Sequence, residues 1–187
     1  MPISLFEKTH LLELKLCANQ EPGQWIGGRI RPWAEYLVTT GGAVIAGLDV
    51  NALPDAAVNR AAIQEMIADS ARISVENCAV TVLAWGGMHR QHAQRAFQSW
   101  ERWKPILVDL RSAEISSDQA YQKFYDLRQR KVLSGMSVAY YTKLVYFFGG
   151  GARYIMDQWT ARSVNLLTGR SVVALKEIPA WRNRRTS

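Results

Sequence analysis

The chain has 187 residues, 48 % of them hydrophobic and 21 % charged, which fits one folded domain and excludes a wholly disordered chain. The formal net charge is +7 and is unevenly spread: residues 1–70 carry five Lys/Arg against eight Asp/Glu, residues 71–187 eighteen against eight. This basic C-terminal two-thirds predicts a surface that faces a polyanion, with nucleic acid ahead of an anionic membrane as partner.

The N-terminal MPISLFEKTH lacks the basic-then-apolar pattern of a secretory leader. No apolar run approaches the roughly 18 residues of a membrane span. The expected setting is therefore the cytoplasm, with no membrane partner. Cys17 and Cys78 are the only cysteines and make neither a metal quartet nor a disulfide framework. No cofactor and no metal are expected, and the chain reads as a monomer. Residues 4–20 fit neither a helix nor a strand well, which leaves room for a small strand element there. Residues 21–50 are punctuated by Pro22, Gly23, Gly27, Gly28, Pro32, Gly41, Gly42 and Gly47, with short helical turns at 33–38 and 43–48.

From Pro54 onward the periodicity is helical, so the fold class is all-α. Pro54 opens a helix over 56–71. Ser74 caps a helix over 75–85, which Gly86-Gly87 stops. One helix spans 89–103, with Arg90, Arg95 and Arg102 on an outer face, and ends before Pro105. Ser117 or Asp118 caps a helix over 119–131. A tight break at Leu133-Ser134-Gly135-Met136-Ser137 leads into an apolar helix over 138–148, ended by Gly149-Gly150-Gly151. Asp157 caps a last helix over 158–167, closed by Gly169. The domain organisation is read as an N-terminal lobe over 1–53 packed on the core, a helical domain over 54–178, and a loose basic tail over 179–187.

The informative stretch runs from Lys131 to Leu167. A short Gly-containing hairpin between helices exposes the backbone amides that open the second helix, and these attract phosphate. Arg128, Arg130 and Lys131 precede the hairpin, where they would neutralise it. Lys143 lies mid-way along an otherwise apolar helix and Asp157 heads the next one. Each has a plain structural reading: Lys143 snorkels from the helix edge with Ala139, Tyr146 and Gly150 on its face, and Asp157 is an N-cap. His89 and His92 lack a nearby third ligand and read as a solvated or phosphate-facing pair. Cys78 reads as packing.

The segment LSGMSVAYYTKLVYFFGGGARYIMDQWTARSVNLL resembles the helix-hairpin-helix DNA glycosylase superfamily. The likeness extends to a bacterial 8-oxoguanine-glycosylase-like group through Tyr141-Thr142-Lys143-Leu144-Val145-Tyr146-Phe147 and the upstream Ala84-Trp85-Gly86. The resemblance extends roughly over residues 79–167. The resemblance implies a DNA N-glycosylase that flips a modified base out of the duplex, with oxidised guanine as the default. It implies Asp157 as the catalytic carboxylate and Lys143 as a Schiff-base amine with lyase activity. Arg128, Arg130, Lys131, Gly135 and Ser137 are the expected DNA contacts. Trp85, Tyr140, Tyr141 and Trp159 are the aromatics that could stack on the base. The pattern departs from the superfamily's at Ser134 and Ser137, where Pro and a second Gly are usual. In enzymes of the eukaryotic type the lysine follows the hairpin directly; that place is near Ala139 here, one turn before Lys143 on the same helical face. Three alternatives stay open: excision of a bulky modified cytosine from phage DNA as antiviral defence, a non-catalytic DNA-binding module, and a helical protein adaptor.

Overall fold

A computed structural model describes residues 27–42, 45–151 and 154–169. The described residues form eight helices and no strand: α1 (Ile30–Thr39), α2 (Arg60–Ala68), α3 (Val75–Trp85), α4 (Arg90–Phe97), α5 (Trp100–Arg111), α6 (Ser117–Gln129), α7 (Val138–Phe148) and α8 (Gln158–Thr168). The all-α expectation holds. The strand element considered near the N-terminus and the basic tail lie outside the described residues. The chain divides into two compact units, one made of residues 23–155 and the other of 1–22 with 156–187.

In the larger unit α3 is the central helix. Ten of its eleven residues are buried, Cys78 to Trp85 without interruption. A helix that is apolar all round has to be enclosed by others, and α1, α2, α5 and α7 pack against it. Its ends follow local chemistry. The Ser74 hydroxyl accepts the Asn77 amide at 3.2 Å. At the far end Gly87 turns left-handed (φ 71°), and the Met88 amide donates to the Leu83 carbonyl. Burial pushes the Cys78 thiol up to about 11, so it stays protonated and inert, as its packing reading requires. The neighbouring α5–α6–α7 region is filled by Phe97, Trp100, Trp103 and Phe124, with ring centroids 4.4–6.3 Å apart along the series.

Several helix assignments need correction. The single helix expected over 89–103 is two helices. The Ala96 carbonyl accepts the Ser99 amide, the Ser99 hydroxyl and the Trp103 indole N–H, and this ends α4 without any Gly or Pro. Pro105, expected to lie beyond a helix end, sits inside α5. Its ring removes one backbone hydrogen bond, and both Pro105 and Glu101, whose carbonyl loses that donor, are exposed. Trp100 and Trp103 before it, and Ile106, Leu107 and Leu110 after it, bury the helix on either side.

The helix expected from residue 56 starts at Arg60, capped by the Asn59 side chain on the Ala62 amide. The preceding carbonyls of Pro54 and Val58 accept the Arg31 and Gly27 amides instead. The cap of α6 is Ser116, not Ser117 or Asp118; with Gln119 it forms a reciprocal capping box. The expected turn at 33–38 belongs to the longer α1. Residues 45–48 of the second expected turn are not helical.

Candidate active site and nucleic-acid interface

The hairpin begins where α6 stops. The Lys131 amide donates to the Arg128 carbonyl and the Val132 amide to Leu127, while Lys131 itself adopts φ 58°. This helix ending usually places glycine at that position, because a Cβ is strained there. Leu133 and Met136 are buried and anchor the hairpin. Gly135 between them has φ 76°, and any Cβ on it would collide with the His92 carbonyl of α4. Glycine is thus demanded twice, by backbone sign and by close approach. Ser137 heads α7 in an extended conformation without a side-chain cap bond. The first-turn amides are therefore not occupied by a cap.

His92, Arg95, Arg128 and Lys131 join Leu133–Ser137 around an open cleft of about 440 Å³, with no acidic residue among the described residues that line it. The structure brings Arg128, Lys131, Gly135 and Ser137 together there. Arg130 is not with them. It lines a groove between α5 and α6 with Arg102, Asp109, Lys123 and Asp126.

Lys143 is only 8 % exposed. Its stem passes over Gly86 at the end of α3, and its ammonium turns back along α7. Nζ donates to the Ala139 carbonyl at 3.2 Å and sits 5.7 Å above the Tyr140 ring. The side chain thus runs back toward the start of α7 and brings its nitrogen to the carbonyl of Ala139, in the first turn after the hairpin.

Tyr140 is half-buried; burial raises its hydroxyl above the usual tyrosine range, and the His89 backbone partly opposes the shift. Trp85 is buried edge-on against Phe147, and its indole N–H has no hydrogen-bond partner among the described residues. Tyr141 is wholly buried and stacks on Phe124 of α6; burial and the adjoining Tyr121 raise its hydroxyl far above the usual range. Trp159 falls in α8, but its side chain lies outside the described residues.

In the smaller unit, Asp157 accepts both the backbone amide and the hydroxyl of Thr160 on Oδ1, at 3.0 and 3.2 Å. It is the N-cap expected for α8.

Residues 20–185 match the family described as "Putative 8-oxoguanine DNA glycosylase OGG-like protein". The chain belongs to this family. No curated protein matches the chain, and no solved structure does. Membership places the OGG-like chain among helix-hairpin-helix proteins of DNA glycosylase type, whose partner is DNA. No helix among the described residues is long and apolar enough to cross a membrane. No cluster of three or more His, Cys, Asp or Glu there could hold a metal ion.

The sequence offered His92 only in a solvated or phosphate-facing pair with His89 and Arg95 only on an outer helix face, and it did not single out Arg60. His92 and Arg95 reach the hairpin cleft from α4, a different part of the chain. Only their spacing of three on one helical face could have paired them. Arg60, the first residue of α2, holds its guanidinium 5.8 Å from the ring centres of both Trp85 and Tyr146. Nothing in the sequence connects residues 60, 85 and 146.

Proposed function

We propose that this OGG-like protein excises a modified base from DNA by N-glycosidic cleavage, with oxidised guanine as substrate, and then opens the strand through a Schiff base on Lys143. The observation that carries the proposal is the path of Lys143. A buried lysine on an apolar helix delivers its nitrogen to the turn next to a cation-lined hairpin. A lysine that merely snorkels would lead its charge out to water.

The cleft residues Arg128 and Lys131, with Arg95 and His92, bind backbone phosphate and fix the register of the DNA. The target nucleotide leaves the stack, and aromatic rings near Lys143, Tyr140 first, receive the base. The Lys143 nitrogen, as free amine, bonds to C1′ while the bond from C1′ to the base breaks. The bonding electrons leave with the base, which takes up a proton. Positive charge develops on the sugar during this step. Asp157 supplies the carboxylate that offsets it. Attack requires the uncharged form of this amine.

The test is incubation with duplexes that each carry one modified base, among them 8-oxoguanine and glucosylated hydroxymethylcytosine, with mass identification of any released base. Release of 8-oxoguanine with strand cleavage is expected. Release of the cytosine derivative alone would move the substrate to the phage-DNA reading. Salt-sensitive binding without release of any base would mean a DNA-binding module without chemistry.

A further inference from the structure

Gly86 follows α3 and contributes no side chain, yet its position bears on Lys143 directly. Its backbone angles, φ −70° and ψ 0°, are open to any residue. Backbone conformation therefore gives no reason for glycine here, in contrast to Gly87 beside it at φ 71°. The reason lies in space. A Cβ on Gly86 would stand 2.7 Å from Cδ of Lys143 and 3.2 Å from Cε, nearer to the stem than to the other neighbour in reach, the Val82 carbonyl oxygen at 3.1 Å. The lysine stem occupies the volume that any larger residue would fill.

We propose that Gly86 is a positioning residue for Lys143: the missing side chain is the channel through which the lysine folds back to Ala139. This rests on the Schiff-base reading of Lys143 given above. The channel matters because the lysine starts one turn too far along α7. Its nitrogen reaches the first turn only by running back along the helix, and Gly86 lies beside the middle of that path. A methyl group at 86 pushes Cδ and Cε aside. The 3.2 Å bond from Nζ to the Ala139 carbonyl and the contact with the Tyr140 ring are then lost together. Attack geometry is sensitive to displacements of this size, since about 1 Å can cost a hundredfold in rate.

The test uses a duplex with a single abasic site, so the identity of the excised base does not enter. The Lys143 amine adds to the C1′ aldehyde carbon, and the aldehyde oxygen leaves as water with the two amine protons, giving an imine. Borohydride then delivers hydride to that carbon and solvent a proton to nitrogen, which fixes a stable secondary amine. Single-turnover trapping is measured against DNA concentration for wild type, Gly86→Ala and Lys143→Gln. Gly86→Ala should trap at least tenfold more slowly at saturation, with the half-saturating DNA concentration unchanged. A wild-type plateau rate in Gly86→Ala overturns the proposal. Trapping that persists in Lys143→Gln removes the Schiff-base reading, and the positioning role with it.

Should Gly86→Ala fold poorly, melting temperatures of Gly86→Ala, Lys143→Ala and the double variant decide the matter. If the clash is with the lysine stem, Gly86→Ala destabilises only when the stem is present, so the double variant melts no lower than Lys143→Ala. A loss that persists in the double variant means the glycine serves something other than Lys143, and the proposal fails.

Discussion

Lys131 and Lys143 are held in opposite ways. Lys131 is fixed by its backbone: the left-handed turn that ends α6 costs strain, while the exposed side chain stays in water beside the cleft. Lys143 is fixed by its side chain: the backbone is ordinary helix, while the stem is threaded past Gly86 and the nitrogen is tied to Ala139. The first arrangement presents a hydrated charge whose effect on DNA is long-range and screened by salt. The second keeps an amine out of water at a defined point, as bond-making requires. Under the proposed function the contrast separates association from chemistry within one helix-hairpin-helix, and a variant of either lysine should disturb one and spare the other.

The largest effect belongs to Lys143→Gln. Strand cleavage and borohydride trapping should fall by 10³ or more, equivalent to about 4 kcal/mol of transition-state stabilisation. DNA affinity at fixed salt should stay within a few-fold, because the buried amine contributes little to phosphate attraction. An equal loss of affinity and cleavage would erase the distinction between the two lysines.

Gly135→Ala comes next and acts on the hairpin that both lysines flank. Left-handed strain plus the collision with the His92 carbonyl should cost at least ~2 kcal/mol. In a chain of this size that corresponds to a melting point lower by roughly 5 °C. Thermal unfolding measures it, and a change below 1 °C would mean the hairpin is not pinned against α4.

Lys131→Gly should have the smallest effect and the most diagnostic pair of signs. Glycine relieves the strain at φ 58°, so stability should rise by about 1 kcal/mol. The lost charge should weaken binding to all sequences alike and make the log–log salt slope shallower by about 0.9. A variant that is more stable and binds DNA less well would show that strain is retained here for the sake of a cation. Unchanged binding would remove Lys131 from the interface.

Several helix ends set by neighbouring residues were legible from the sequence, although the local caps Asn59 of α2 and Ser116 of α6 were not. Ser74 and Gly86-Gly87 bound α3, and the 133–137 break and Gly149-Gly150-Gly151 bound α7; in each case the cap or glycine lies within a turn of the end it makes. Ends set by distant contacts were not legible. The break after α4 comes from three donors converging on one carbonyl, and Pro105 is carried through α5 by aromatic and aliphatic burial on both sides.

The candidate site divides along the same line. Residues that share a helix or hairpin, such as Arg128, Lys131 and Gly135, could be grouped from sequence. His92, Arg95, Arg60 and Gly86 come from other helices, and only the packing of those helices brings them to the hairpin or to Lys143 and its neighbours. Arg130 shows the converse. It is one residue from Lys131 in sequence, but the turn that ends α6 sends it to a different groove.

The central claim is that charge on Asp157, and not its capping bond, drives base release. Asp157 receives the Thr160 amide on Oδ1 at 3.0 Å, and asparagine performs that capping task about as well as aspartate. Asparagine cannot offset a developing sugar cation. The decisive measurement is therefore single-turnover release of 8-oxoguanine from a duplex by wild type and Asp157→Asn side by side, with melting temperature and DNA affinity recorded for both. The account predicts release by the wild type, a loss of about 10³ in the variant, and closely similar melting and binding. Release at the wild-type rate by Asp157→Asn, with the fold intact, would reduce Asp157 to a helix cap and contradict the mechanism.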